Sequence, residues 1–481
     1  MKQEISDERV WPYILPFPLN PAKRGLIWSI LQSRVGLKIL ENVSVDRRTY
    51  QHDLIEKLPY SNKSIIKYLK EMVEAVILEH GMEVSMERGR TVWIKWYKPT
   101  SLGKWLVLFL KPPSDVSPDL TKTVIEELFR LYSSSIVEVC QRYGMDIDLF
   151  HRDLDKQYLL KASMEQPQIK HEVAVFGSAA LDIYGTLKKL PAADEVAYVE
   201  ETGRYLGGMG ANVAVALAKL NVPVTFFGRI GRDSAGRVLL ENLNKNNIDT
   251  SNIHFVDAFS LQTLILSDSQ EHRWLFTVGS PQSAMSLTSP EEVDWEILGR
   301  CKITYIGEVF VEIASAIADY AKARDKVVVY RPGVPYMKFG VENLHRVLEH
   351  TTIFILNQAG WRQLRLASKE KMGSLANLLK YGPKSIILTK GAKGCEIFSS
   401  DGCRKFPVSP QLRVKFKTVD PTGAGDGFSA GLIKGLLRNW SLEKSVDYGQ
   451  IVASITCSRV SASNAFPTEK EVEAAVDFSS F

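Results

Sequence analysis

The sequence predicts an α/β protein in which a parallel sheet built from βαβ units follows a smaller α+β unit. Three observations carry this. A chain of 481 residues exceeds what one hydrophobic core holds, so two globular units joined by a helical connector are expected. Beyond His171, short apolar runs alternate with helical stretches, the pattern of a parallel sheet. Before Asp153 the chain reads as helices with a single hairpin, and the polar stretch Asp153 to His171 separates the two regimes. The expected division is residues 22–110, a connector at 111–170, and 171–481.

Composition narrows the class. Hydrophobic residues make up 45% and charged residues 24%, which excludes disordered and collagen-like chains. The net charge of +5 is too mild to argue for nucleic acid unless the basic residues cluster. Cys140, Cys301, Cys395, Cys403 and Cys457 are scattered and contain no Cys-x-x-Cys pair. Reduced, buried thiols are therefore expected rather than a disulfide framework or zinc site. Met1 to Asn20 carries Glu4, Asp7 and Glu8 with no uninterrupted apolar stretch, and the longest apolar run, Trp105 to Leu110, is too short to span a bilayer. No membrane association and a cytoplasmic location are expected.

In chain order, helical stretches fall at Leu26 to Leu40, Tyr50 to Lys57 and Ser61 to His80, the last two separated only by Leu58-Pro59-Tyr60. Helical spacing puts Ile65, Leu69, Met72 and Val76 on one side of the third stretch and Lys63, Lys67 and Lys70 on the other. Ser61 is a good N-cap, leaving Asn62, Lys63 and Ser64 at the positive end of the helix. An alternating run Met82 to Met86, a turn Glu87-Arg88-Gly89-Arg90 and a run Thr91 to Tyr97 form the hairpin, with Arg88 and Arg90 at its tip. This order resembles the winged helix-turn-helix of archaeal and bacterial transcription regulators over Leu26 to Leu110, which implies contact with double-stranded DNA through those lysines and arginines. The alternatives are an ordinary solvated lysine face, diluted by Glu71 and Glu74, or a winged helix that docks protein. Pro118 to Tyr143 is amphipathic through Val124, Leu128, Leu131 and Ile136, suited to a dimerisation helix or a strut, so a homodimer is expected.

After the boundary, strands are expected at Val173 to Gly177, Val222 to Phe227, Ile303 to Gly307, Val327 to Tyr330, Ile353 to Leu356 and Ile386 to Thr389. The strongest chemical signal is Asp420-Pro421-Thr422-Gly423-Ala424-Gly425-Asp426-Gly427-Phe428, a small-residue loop opening a helix. Such a loop turns successive N–H groups toward one point and forms an anion hole. Asp426 is placed to take a proton from an incoming hydroxyl while Gly423, Ala424 and Gly425 donate to a transferred phosphoryl group. A second cluster, Gly207-Gly208-Met209-Gly210-Ala211-Asn212, lets a ligand approach the backbone and offers an amide to hydroxyls.

Together these clusters resemble the ribokinase-like superfamily, the PfkB carbohydrate kinases, over His171 to Phe481. The resemblance implies a three-layer α/β kinase domain with a small β lid. It implies transfer of the ATP γ-phosphoryl group, with Mg²⁺, to a hydroxyl of a sugar, nucleoside or related metabolite. On this pattern Asp182, Gly207, Gly208 and Asn212 bind substrate, with Met209 where ribokinases carry lysine. Thr389, Gly391 and Gly394 serve the nucleotide, Asn357 the phosphate network, and Asn464 an adenine-side loop. No metal ligand is assigned. Two departures stand out: Gly360 replaces the family's acid in Asn357-Gln358-Ala359-Gly360, and Arg331 stands before Pro332 where relatives often have aspartate. Arg331 can meet substrate or phosphate, or pair locally. His254, His272 and His350 have no visible catalytic partner and are read as surface or structural.

The sequence thus points to an ATP-dependent small-molecule kinase carrying a DNA-binding domain. The competing reading is a transcription regulator whose kinase-fold domain only senses a metabolite, for which Gly360 is the best support.

Overall fold

The computed structural model describes residues 21–87, 90–110, 117–164, 171–268, 270, 272–278, 286–369 and 372–475. These divide into two units, one up to Ile147 and the other from Asp148 onward. In the first, α1 (Pro21–Gln32) and α2 (Arg34–Asn42) precede β1 (Thr49–Tyr50), α3 (Gln51–Lys57), α4 (Asn62–Glu74), β2 (Leu78–Glu87) and β3 (Arg90–Pro99). Helices Ser101–Leu110 and Pro118–Tyr143 complete it. The strands form an antiparallel sheet in the order β1-β3-β2.

Two expected helices are corrected. The stretch Leu26 to Leu40 is broken because Ser33 caps α2, accepting from the Gly36 N–H at 3.3 Å. The third stretch ends at Glu74 rather than His80. Val76 takes a positive φ of 60° and is exposed rather than apolar-facing, and the chain turns into β2, whose full-length pairing with β3 outweighs helix continuation. The start of α4 is as expected: Ser61 accepts from the Ser64 N–H at 3.2 Å. Ile65, Leu69 and Met72 are buried with Ile39, Leu40 and Leu54 in one apolar cluster. Pro118–Tyr143 coincides with the amphipathic stretch; Val124 is buried, and Gly144 ends the helix in the left-handed region.

In the second unit, the strands are β4 (Val173–Phe176), β5 (Ala180–Thr186), β6 (Glu200–Gly207), β7 (Val224–Gly231), β8 (Ile253–Val256), β9 (Leu261–Ser267), β10 (Arg273–Val278), β11 (Ile303–Ile306), β12 (Val327–Tyr330), β13 (Ile353–Asn357), β14 (Ser385–Thr389), β15 (Cys395–Ser399) and β16 (Gly402–Phe406). Alternation decides its architecture. All of β4 is buried, with Val173 and Val175 in one apolar cluster and Ala174 and Phe176 in another. Ile353 and Ile355 against Phe354 and Leu356 repeat this on β13. A strand buried on both faces needs a helical layer on each side, so the result is three layers.

The main sheet runs β16-β15-β14-β13-β12-β11-β4-β7-β8, parallel from β14 to β8, with β15 and β16 as an antiparallel edge. A separate sheet, β10-β9-β5-β6, is the small lid. Cys140, Cys301 and Cys395 are buried free thiols as expected, Cys457 is half-buried, and Cys403 departs from the expectation by being exposed on edge strand β16.

The helices Ala424–Leu437 and Leu442–Cys457 meet through glycines: a Cβ on Gly431 would lie 2.7 Å from the Gly449 Cα. Because backbone cannot give way as a side chain can, Gly431→Ala is expected to cost about 1–3 kcal/mol. Chemical denaturation of the full chain reads this directly, and unchanged stability would show that the helix pair tolerates separation.

Candidate functional site

The two small-residue clusters, far apart in sequence, meet in space at one carboxylate. Asp426 lies in the first turn of helix Ala424–Leu437, which begins after Gly423 at φ 79°. Its Oδ2 accepts from Asn212 Nδ2 at 3.0 Å, and its Oδ1 accepts from Arg331 Nη1 at 2.6 Å. Asn212 arrives on helix Met209–Lys219, and Arg331 follows the carboxyl end of β12. The site therefore sits where ligands bind in open parallel sheets, at strand carboxyl ends.

The helix start narrows the expected anion hole. The Ala424 N–H donates to the Pro421 carbonyl at 3.2 Å, and the Asp426 N–H to that of Gly423 at 3.0 Å. The Gly423 and Gly425 amides have no backbone acceptor among the described residues. These two are the free donors at the positive end of the helix.

Asp182 stands on lid strand β5, opposite Thr263 on β9 and Tyr205 on β6. It is buried beneath Gly207, where a Cβ would collide with its carboxylate, so a side chain at that position would displace Asp182. Gly208 has a φ of 84°, and its Cβ would lie 2.8 Å from the Ala180 N. Burial pushes the Asp182 carboxyl up to about 7, partly offset by a hydrogen bond from Thr263 and the charge of Arg273. Asn212 Oδ1 is buried with no hydrogen-bond partner, an acceptor left for a ligand hydroxyl.

Sequence reasoning missed Glu308. It follows Gly307 at the carboxyl end of β11 and is half-buried, accepting a hydrogen bond from the Ser178 hydroxyl. Ser178 in turn accepts from the Met209 N–H at 3.2 Å. Burial raises the Glu308 carboxyl, and the charge of Asp426 adds to the effect. The available signal was an acid just beyond a buried strand, at the edge where parallel sheets bind ligands.

Thr389, Gly391, Gly394, Ala424 and Gly425 line one cavity of about 420 Å³, with Phe416 and Cys457 among its walls. This is within the size range of small-molecule sites. Asn357 and Asn464 do not line it. Asn357 caps helix Gln358–Ala367, accepting from the Gly360 N–H at 2.7 Å. Asn464 is exposed, and its carbonyl accepts from Lys219 Nζ at 3.4 Å. A smaller cavity of about 60 Å³ is bordered by Arg331, Met337, Asn357 and Gly360. Arg273, on lid strand β10, lies 3.5 Å from Asp420, which also accepts from the Ser461 N–H at 3.1 Å. The histidines have local roles: His254 meets the Glu292 carbonyl at 2.7 Å, and His272 meets Asp268 at 3.0 Å.

Residues 170–469 match the model of the pfkB family carbohydrate kinases. The chain belongs to this family. This pfkB-family protein is a phosphotransferase acting on an alcohol group of a sugar or nucleoside, with ATP and Mg²⁺ as its cofactors. It is 26% identical over 338 residues to an adenosine kinase of Saccharomyces cerevisiae, covering 67% of this chain and 94% of that one. It is 26% identical over 307 residues to a ribokinase of Lactococcus lactis, covering 63% and 96%. The structure of Arabidopsis thaliana ribokinase complexed with ribose and ATP superposes with a TM-score of 0.55 at 22% identity, covering 64% of this chain and all of that one.

The large cavity is lined by glycines at 391, 394 and 425 together with apolar side chains such as Val408, Leu412, Phe416 and Phe428. No group of three or more His, Cys, Asp or Glu among the described residues could cage a metal. This donor set fits Mg²⁺ carried on nucleotide phosphates, an ion that keeps waters and takes few protein ligands. Among the described residues, no helix is long and apolar enough to cross a membrane.

In the amino-terminal unit, Lys63, Lys67 and Lys70 are all exposed on α4, with Lys67 3.7 Å from Glu71. Arg90 opens β3, and Arg88 lies outside the described residues.

The Asp182 shift gives a pH test. Its native pKa of about 7 lies above the ordinary 3.8, so the native state binds more protons than the unfolded chain between those values. Stability from this group is then lost as pH rises through that window. Relative to the parent, Asp182→Asn is expected to gain about 2–4 kcal/mol on going from about pH 5 to about pH 8. Parallel melting curves at both pH values would contradict a buried, proton-binding Asp182.

Proposed function

We propose that residues 171–481 transfer the ATP γ-phosphoryl group to a hydroxyl of a sugar or nucleoside, with Asp426 as general base. The single observation that carries this is the contact of Asn212 with Asp426, which joins the substrate cluster to the anion-hole helix. Asp182, Asn212 and the backbone at Gly207 and Gly208 hold the polyol, and Glu308 adds a half-buried acceptor. Thr389, Gly391 and Gly394 line the ATP cavity, and Asn357 supports the phosphate side by fixing its helix. The hydroxyl gives its proton to Asp426, its oxygen attacks the γ-phosphorus, and the bond to the leaving ADP oxygen breaks. The Gly423 and Gly425 amides meet the charge on the phosphoryl oxygens. When bound, Mg²⁺ supplies charge neutralisation on the nucleotide phosphates.

Turnover across sugars, nucleosides and polyols, with Asp426→Asn beside the parent, tests this. The variant is expected to lose about 10²–10⁴-fold in kcat while retaining ATP binding. Undiminished turnover would remove Asp426 as base.

We also propose that residues 22–110 are a winged helix-turn-helix that binds double-stranded DNA, making the protein a regulator linked to the metabolite it phosphorylates. The succession α3, α4, β2, β3, the Ser61 cap and three exposed lysines on α4 support this reading. Reading a palindrome requires a homodimer, and exposed Ile125 and Phe129 on helix Pro118–Tyr143 offer an apolar face for it. One observation favours the protein-docking alternative: Met82, Val84, Met86 and Trp93 are exposed on the hairpin. Replacing Lys63, Lys67 and Lys70 by Ala is expected to weaken binding to duplex DNA and to flatten its log–log salt slope by about 0.9 for each phosphate that is no longer neutralised. Retention on DNA unchanged by the triple variant would favour the docking reading.

A further inference from the structure

We propose that Arg331 is a catalytic residue of phosphoryl transfer, holding Asp426 in the free site and moving to the transferring phosphoryl group when ATP is bound. This rests on the kinase reading above and adds a residue whose role the sequence left open between substrate, phosphate and local pairing. The guanidinium occupies the junction of the base and the anion hole. Its Nη1 is 2.6 Å from Asp426 Oδ1, while a Cβ on Gly425 would collide with its Nη2. The guanidinium therefore lies against Gly425, a residue that lines the large cavity and whose amide has no backbone acceptor among the described residues. Nη2 itself has no hydrogen-bond acceptor among the described residues, so part of the planar fork is unspent.

A carboxylate bound to a guanidinium is a poor proton acceptor, because protonation forfeits the charge-assisted pair and leaves a half-buried cation alone. With Asn212 on the other oxygen, both carboxylate oxygens of Asp426 are engaged in the free site. Arrival of the γ-phosphate beside Gly425 supplies a second anion for the same guanidinium. Arg331 then shifts its donors from Asp426 to phosphoryl oxygens and carries no proton. Asp426 is released to take the hydroxyl proton as the oxygen–phosphorus bond forms and the bond to ADP breaks. The base is thereby suppressed until the phosphoryl group it serves is in place.

The test reads the γ-phosphate by binding, so it does not depend on turnover. The full chain, as the parent and as Arg331→Gln, is titrated calorimetrically with ADP and with the non-hydrolysable β,γ-imido analogue of ATP, each with Mg²⁺. In Arg331→Gln the analogue is expected to bind about tenfold more weakly while ADP changes less than about twofold, since a charge-assisted hydrogen bond is at stake. Arg331→Lys, which keeps the charge without the fork, is expected to fall between the two and serves as the measure if the glutamine variant does not fold. A supporting kinetic result is loss of kcat with the alcohol KM retained, partly restored by added guanidinium ion. Equal weakening of both nucleotides, or of neither, overturns the role of Arg331 and leaves the kinase reading intact. A parent that binds neither nucleotide overturns the kinase reading itself, and this proposal with it.

Discussion

The site depends on compensating one buried negative charge. Asp426 is 7% exposed, and a carboxylate so placed is costly unless its oxygens are paired. Asn212 and Arg331 supply the pairs, and each draws a different element to the same point. Asn212 fixes helix Met209–Lys219, Arg331 ties the end of β12, and Asp426 sets the start of helix Ala424–Leu437. Small residues follow from this convergence. The guanidinium reaches Asp426 only because position 425 lacks a side chain, and the helix carrying Asp426 packs closely only because Gly431 meets Gly449 without one.

Around this centre the site is rich in acids whose charge burial resists. Asp182 and Glu308 both have raised pKa values with burial as the principal cause, and Asp426 adds to the repulsion at each. Such an arrangement accepts hydroxyl donors well, because every hydroxyl that donates to these carboxylates relieves desolvation already incurred. The unpartnered Asn212 Oδ1 asks for the same kind of ligand. A ligand bearing hydroxyls is thus matched by the electrostatics, and the same acids disfavour an apolar occupant.

Much of this was legible in the sequence. The strands of the parallel sheet were read from apolar runs, since a strand buried on both faces has little freedom in composition; Val327–Tyr330 is recovered without adjustment. The Gly-rich helix start and the Gly-Gly-x-x-x-Asn cluster were visible because close backbone approach excludes other residues. What escaped was set by tertiary contact. The end of α4 depends on β2 pairing with β3, which local periodicity through Val76 does not register. Glu308 is a single acid after a strand, meaningful only once Ser178 and Met209 stand beside it. Asn464, expected in an adenine-side loop, is exposed, and its backbone carbonyl accepts from Lys219.

The two departures from the family pattern, Gly360 and Arg331, look unrelated along the chain but border the same small cavity. A Cβ at position 360 would come within 3.2 Å of Asn357 Oδ1, the oxygen that caps helix Gln358–Ala367, so a side chain there requires that cap to shift. Loss of an acid and gain of a guanidinium in one cavity shift its charge in the same direction. With glycine at 360, the ion pair of the Arg331 guanidinium among the described residues is with Asp426. Both departures therefore bear on the charge of one small cavity, which the guanidinium borders as a cation already paired with Asp426.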